Sequence, residues 1–227
     1  MDFKVGMLSE IGSKHGENED TVLSCPDLGL FILADGMGGY KGGGMASKYA
    51  AEVCYEYVRM AISEGFVATQ AVSEAISAAN FTINEQSARS PELIGMGTTL
   101  TSLCFLGGSV VLGHVGDSRG YLVRGDAIRQ ISEDHVSATK GKVTLSRAVG
   151  VASQVSSDIL ELPVYSDDIF ILCSDGVSAA FEDQEIFRIT KKYKNGDLNL
   201  AAKELIRSAR LRGSDDDASV ILIQLRH

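Results

Sequence analysis

The stretch from Leu30 to Gly44, Leu-Phe-Ile-Leu-Ala-Asp-Gly-Met-Gly-Gly-Tyr-Lys-Gly-Gly-Gly, constrains the fold of this chain more than any other. Its four consecutive apolar residues, Leu30 to Leu33, predict a strand buried on both faces. A carboxylate, Asp35, follows at the strand's end, and Gly36 then lets the backbone turn sharply and be approached closely. The rhythm returns at Phe170 to Gly176, Phe-Ile-Leu-Cys-Ser-Asp-Gly, and more loosely at Val110 to Ser118, Val-Val-Leu-Gly-His-Val-Gly-Asp-Ser. Three apolar strands thus each deliver an aspartate to their tip.

A chain of 227 residues suits one sizeable domain and can bury a substantial core. The period of apolar residues changes along it. Strands are expected at Phe3 to Ser9 and from Thr21, and helices at Met45 to Ser63 and Phe66 to Ser87. Thr98 to Leu106 and Ser109 to Val115 flank Gly107-Gly108 as a hairpin, and Tyr121 to Arg129 reads as another around Gly125-Asp126. Ser132 to Ser146 is polar and carries little pattern. A strand at Ile169 to Cys173, helices over Asp183–Lys194 and Leu198–Leu211, and a strand over Ala218–Leu225 close the chain. Grouped strands with paired helices between them, and no regular β-α-β alternation, imply an α+β arrangement in layers. With no repeat and no linker, residues 1–227 are expected to form a single domain.

Acidic residues gather at five points: Glu19-Asp20, Asp35, Asp117, Asp175 and Asp215-Asp216-Asp217. Taken singly, each is explained by a turn. Four of the five adjoin strongly apolar strands, however, where a carboxylate is costly unless paired or bound to a cation. An all-oxygen set without paired His or Cys selects Mg²⁺ or Mn²⁺ over zinc. Two such ions sharing a carboxylate would activate water for attack on a phosphoryl or carbonyl centre.

Other chemistries fit less well. The glycine-rich loop ends in no Gly-Lys-Ser/Thr, and no Cys stands five residues before an Arg in a phosphate loop. Gly116-Asp117-Ser118-Arg119-Gly120 matches the nucleophile elbow of a serine hydrolase using Ser118. That elbow needs a helix after its turn, and Tyr121-Leu122-Val123 predicts a strand. A net charge of −9 without a basic stripe argues against nucleic-acid binding. No apolar run approaches the ~20 residues that span a bilayer, and nothing suggests an oligomer. Cys25, Cys54, Cys104 and Cys173 form no Cys-x-x-Cys pair and read as reduced residues, which suits a cytoplasmic protein.

Several blocks together resemble the metal-dependent serine/threonine protein phosphatases of the protein phosphatase 2C type, and in that family's order along nearly the whole chain. They are Asn18-Glu19-Asp20, Ala34-Asp35-Gly36-Met37-Gly38-Gly39, Gly97-Thr98-Thr99, Val115-Gly116-Asp117-Ser118-Arg119, Asp134-His135, Leu145-Ser146-Arg147-Ala148-Val149-Gly150, Cys173-Ser174-Asp175-Gly176 and Asp216-Asp217-Ala218-Ser219. The compact form with Met-Gly-Gly looks most like the bacterial branch. The resemblance implies a four-layer α-β-β-α sandwich of two antiparallel sheets flanked by helix pairs, with metals at one end. It implies that Asp35 bridges two Mn²⁺ or Mg²⁺ ions, that the Gly36 carbonyl binds one, and that Asp175 and Asp216 hold the other. Glu19 and Asp20 would contribute directly or through water, and Asp117 would help hold a third ion. A bridging water or hydroxide would attack phosphoserine or phosphothreonine in line. Substrates would be phosphoproteins, those of a serine/threonine kinase. A degenerate member acting as a metal-binding interaction or sensing module is the alternative.

The chain departs from the family's pattern at four places. His15 stands where an arginine usually grips the substrate phosphate, and Lys14 beside it could substitute. Tyr40 replaces a histidine proposed as proton donor, and Asp217 replaces an asparagine. Only nine residues, Val136 to Thr144, separate Asp134-His135 from the Leu145 block, where bacterial relatives carry a longer flap.

Overall fold

The computed structural model, which describes residues 1–37, 42–139 and 142–226, places the doubly apolar strands in the middle of a four-layer stack. In chain order the elements are β1 (Asp2–Glu10), β2 (Asp20–Cys25), β3 (Leu30–Met37), α1 (Gly42–Ser63) and α2 (Ala68–Arg89). Then come β4 (Gly97–Thr98), β5 (Leu100–Leu106), β6 (Ser109–Val115), β7 (Arg119–Arg124), β8 (Ala127–Gln130), β9 (Val136–Thr139) and β10 (Lys142–Leu145). The remainder is β11 (Asp158–Pro163), β12 (Ile169–Cys173), α3 (Asp175–Ser178), α4 (Asp183–Tyr193), α5 (Leu198–Leu211) and β13 (Ala218–Arg226). One sheet has the order β1-β13-β12-β7-β8 and the other β11-β6-β5-β3-β2, with β4 added to β3. Neighbouring strands in both sheets run antiparallel.

Strand alternation explains why the central strands are apolar throughout. Along β3, Phe31 and Leu33 enter the core between the sheets, while Leu30, Ile32 and Ala34 pack outward against α1 and α2. Along β12, Phe170 and Leu172 face inward, and Ile169, Ile171 and Cys173 face α4 and α5. Three apolar layers therefore separate four layers of secondary structure, the arrangement that the family resemblance implied. Aromatic rings lock the middle layer: Phe105 and Phe170, from opposite sheets, meet edge to face with centroids 5.2 Å apart.

The helices use the faces expected of them. In α5 Leu198, Ala201, Ala202, Leu205, Ile206 and Ala209 are buried, and the Asp197 carboxylate caps its N-terminus on the Asn199 N–H at 2.9 Å. Helix α1 begins at Gly42, three residues before the expected Met45, because close packing outweighs glycine's poor helix propensity. A side chain at Gly43 would collide with the Glu19 carboxylate, and one at Gly42 would press on Met96. Helix α2 runs from Ala68 to Arg89, two residues later at each end than its expected span. Strand β11 has no counterpart in the sequence reading, since Asp158-Ile-Leu-Glu-Leu-Pro carries exposed and half-buried positions on an edge strand.

Phe170 is fully buried between the sheets. Replacing it with Ala should cost about 3–5 kcal/mol in chemical denaturation with the m value unchanged, because the facing sheets are too rigid to collapse into the void.

Candidate active site

The alternation that fills the central core also aims the carboxylates. Asp35 lies two residues beyond Leu33 and so shares the inward face of β3, at the end where the apolar layer stops. Asp20 sits directly opposite it on β2. Like charges in that relation repel. Asp175 follows β12 at the first position of α3, Asp117 follows β6 after Gly116 at φ +115°, and Asp216 stands two residues before β13. All these strand ends lie at one end of the sandwich. Glu19, Asp35, Gly36, Asp117, Asp175 and Asp216 line a cleft of about 640 Å³, together with Lys14 and His15.

Asp20, expected among the same set, lies behind the cleft wall. Its Oδ2 accepts a hydrogen bond from Ser174 Oγ at 2.9 Å, while Oδ1 is buried with no partner. Burial and the neighbouring carboxylates push Asp20 up to about 7 and Asp117 up to about 6. Asp35 is raised well above the ordinary carboxylate range, by burial first and then by Asp20, Asp175, Asp117 and Asp216. Asp175 is also raised, by burial and by Asp216, and its carboxyl comes within hydrogen-bonding reach of Asp35. Two carboxyls in that contact need a shared proton or a cation between them. Among the described residues no three His, Cys, Asp or Glu side chains stand together at ligating distance. The donor set is all oxygen, it holds an orphaned buried oxygen, and it is short of positive charge. It fits hard divalent cations.

Backbone clamps hold the acidic residues in place. The Asp35 N–H donates to Thr99 Oγ1 at 2.9 Å, and its carbonyl accepts from the Thr99 N–H and Thr98 Oγ1, both at 2.8 Å. The Gly-Thr-Thr block thus supports Asp35, a role that the sequence reading did not assign to it. A side chain at Gly36 would run into the Gly43 carbonyl, so Gly36 is required for α1 to approach the cleft.

On the opposite wall, His15 Nδ1 lies 2.9 Å from Asp217 Oδ2. Asp217 is buried and also accepts the N–H groups of Gly12 and Glu19, each at 2.7 Å. This hydrogen bond raises the His15 pKa against the lowering effect of partial burial. Lys14 pairs with Asp215 at the cleft rim. Tyr40, with Gly38 and Gly39, lies outside the described residues.

The segment expected to lack pattern, Ser132 to Ser146, contains the antiparallel pair β9 and β10, and Val143, Thr144 and Leu145 line the cleft. That expectation is corrected. The signal was present as two four-residue strands around Gly141, but nine residues gave too short a window to read. His135 fastens the base of this hairpin. Its N–H donates to the Gly116 carbonyl at 2.7 Å, and its carbonyl accepts the Ser146 N–H at 2.8 Å. The ring accepts the Gly116 N–H on Nδ1 at 3.1 Å and meets Asp158 through Nε2 at 3.0 Å. Arg147 pairs with the same Asp158 at 2.8 Å.

Comparison with known proteins agrees with this geometry. The family model described as Protein phosphatase 2C matches residues 14–205. The chain belongs to the protein phosphatase 2C family. Among its relatives, the serine/threonine phosphatase stp of Listeria innocua is 30% identical over 237 aligned residues, covering 92% of this chain and 90% of that protein. The serine/threonine protein phosphatase PstP of Mycobacterium tuberculosis is 30% identical across 94% of this chain and 43% of its own length. The crystal structure of that phosphatase superposes with a TM-score of 0.89 at 28% identity over 99% of both chains. The catalytic domain of PstP in complex with two manganese ions gives a TM-score of 0.85 at 27% identity, again over 99% of each. Within this family fold the Gly-x-Ser-x-Gly match is structural. Ser118 is fully buried, shares a 2.8 Å hydrogen bond with Thr99 Oγ1, and leads into strand β7.

The raised carboxyls define a pH signature for the metal-free protein. A carboxyl whose folded pKa is raised favours folding fully only below its unfolded value near ~4. That contribution is lost as pH rises through about 6 for Asp117 and about 7 for Asp20. In chelator, the melting temperature should therefore fall between roughly pH 5 and pH 8, and Mn²⁺ should restore most of the loss at the upper end. Thermal melts at stepped pH, with and without Mn²⁺, measure this.

Proposed function

We propose that this chain is a manganese- or magnesium-dependent phosphatase that hydrolyses phosphoserine and phosphothreonine in proteins. The observation that carries the reading is the convergence of Asp35, Asp117, Asp175 and Asp216 on one cleft that also presents Lys14 and His15. Carboxylates alone would repel a phosphate dianion, so the cleft needs cations to receive one. In this reading Asp35, the Gly36 carbonyl, Asp175 and Asp216 would hold the two ions. Glu19 and Asp20 would support them directly or through water, and Asp117 would help hold a third. When bound, the ions supply Lewis acidity toward the phosphoryl oxygens and lower the pKa of a water nucleophile.

The chain's own residues handle the substrate. His15, with Nδ1 held by Asp217 and its pKa raised, is set to offer a cationic N–H to a phosphate oxygen. Lys14 adds a second positive charge at the rim. Met37, Val143 and Leu145 form an apolar wall suited to the carbon portion of a peptide and to excluding water. We further propose that residues 1–227 act as one catalytic domain with a short flap, as a monomer, on substrates of a serine/threonine kinase. A cytoplasmic location suits the four free cysteines.

Dephosphorylation of a phosphothreonine peptide across Mn²⁺ concentration, with and without chelator, tests the reading. Turnover should require the metal and fall at least about 100-fold in Asp175→Ala. A protein that binds Mn²⁺ yet turns over no phosphopeptide would sink the enzyme assignment and leave a binding module. His15→Ala should raise KM at least about tenfold with a smaller change in kcat, the worth of one charge-assisted hydrogen bond to the bound phosphate.

A further inference from the structure

Two loops leave the same edge of one sheet side by side, because β1 and β13 are neighbours with Glu10 opposite Ala218. One runs from Ile11 to Glu19 and carries Lys14 and His15; the other runs from Arg212 to Asp217 and carries Asp216. They are laced to each other. The Gly12 N–H donates to Asp217 Oδ1 at 2.7 Å, the Lys14 N–H to the Asp215 carbonyl at 3.2 Å, and the Glu19 N–H to Asp217 Oδ2 at 2.7 Å. Gly12 lies so close to the Asp215 and Asp216 backbone that a side chain there would collide with it. This lacing fixes the loops to one another but not to the body of the fold.

Each loop has its own tie to the body, Ser214 Oγ to the Gly176 carbonyl at 2.6 Å and the Gly36 N–H to the Glu19 carbonyl at 3.2 Å, and Arg210 adds a connection that reaches both loops at once. It projects from the last turn of α5, a helix seated on the sheet through Leu205, Ile206 and Ala209. Its Nη1 donates to the carbonyls of Ser214, at 3.2 Å, and of Asp216. Its Nη2 donates to the carbonyls of Glu10 and Ile11, each at 3.1 Å. The four terminal N–H groups of one guanidinium are thus matched to four carbonyls, two on the Asp216 loop and two where β1 passes into the other loop, at Glu10 and Ile11. One of the four belongs to Asp216 itself, whose side chain faces the cleft.

We propose that Arg210 is the positioning residue that holds the Asp216 loop and the Lys14–His15 loop in mutual register, so that ion binding and phosphate binding depend on one guanidinium outside the cleft. The inference rests on the functional reading above, in which Asp216 is an ion ligand and His15 grips phosphate. A lysine cannot replace this arrangement. An ammonium has three N–H groups on a flexible stem, whereas the guanidinium offers a planar fork. Displacements of about 1 Å in a supporting group are enough to degrade a ligand set.

The test uses the full chain with Arg210→Lys and Arg210→Gln, beside Asp216→Ala and the control Arg124→Met. Arg124 pairs with the buried Asp168 at 2.8 Å at the ends of β7 and β12 opposite those that lead to Asp117 and Asp175, so its loss weakens folding without touching either loop. Mn²⁺ affinity is read from the free-ion electron paramagnetic resonance signal, KM from phosphothreonine peptide turnover, and folding from melting temperature and far-ultraviolet circular dichroism. Both Arg210 variants should bind Mn²⁺ about 10–100-fold more weakly and show a raised KM, while Arg124→Met loses melting temperature and keeps its Mn²⁺ affinity. Should the glutamine variant fail to fold, the lysine variant carries the test. Wild-type Mn²⁺ affinity in Arg210→Lys, with binding lost in Asp216→Ala, would overturn the inference alone. Equal loss of Mn²⁺ affinity in Arg124→Met would also overturn it, by showing that general destabilisation is enough. A wild-type protein that binds no Mn²⁺ would overturn the functional reading and this inference with it.

Discussion

Mutual repulsion among carboxylates at the mouth of an apolar sandwich is the constraint on which the rest of this structure depends. Asp20 and Asp35 face each other across adjacent strands, and Asp175 reaches into contact with Asp35. Left to itself, such a cluster would splay apart or protonate. What resists is the core beneath it, where Phe31, Leu33, Phe170, Leu172, Ile221 and Ile223 close the space between the sheets. Apolar burial thus stabilises a locally unfavourable arrangement, the general relation between a strained site and the frame that holds it.

Around the cluster, hydroxyls and backbone amides do the holding. Thr98 and Thr99 fix the Asp35 backbone from both sides, Ser174 holds Asp20, and the buried Asp217 ties Gly12, His15 and Glu19 into one unit. These contacts are short in space but long in sequence, since Asp217 lies about two hundred positions from the residues it binds. The closure of the β1–β13 pair, which joins the two ends of the chain, brings them together.

Much of this was legible in the sequence, for definite reasons. Strands such as Leu30–Leu33 and Phe170–Cys173 announced burial on both faces by uninterrupted apolar runs, and Asp35 and Asp175 were marked by standing where those runs stop. Helix α5 was readable to its last residue, because its apolar face follows the helical period between Asp197 and Gly213. The start of α1 was not, since three glycines argue against a helix unless the Glu19 carboxylate packed against Gly43 is known. Strand β11 and the hairpin of β9 and β10 escaped because edge strands and short hairpins carry half-exposed residues whose pattern is weak. Position of Asp20 behind the cleft wall, and the pairing of His15 with Asp217, depend on tertiary closure and left no local trace.

The hairpin's anchoring has a consequence for how such a protein can change over evolutionary time. Because the Ser146 N–H closes onto the His135 carbonyl, and Arg147 and His135 share Asp158, both ends of the segment are fixed to the sheet independently of what lies between them. Residues added within this segment would lengthen a stretch of chain already closed at its base, and each doubling of such a closed stretch costs only about 0.6 kcal/mol in chain entropy. The carboxylates would not register the insertion. Recognition of new peptides could therefore be acquired by length variation at one point on the surface, with the hydrolytic chemistry inherited unchanged.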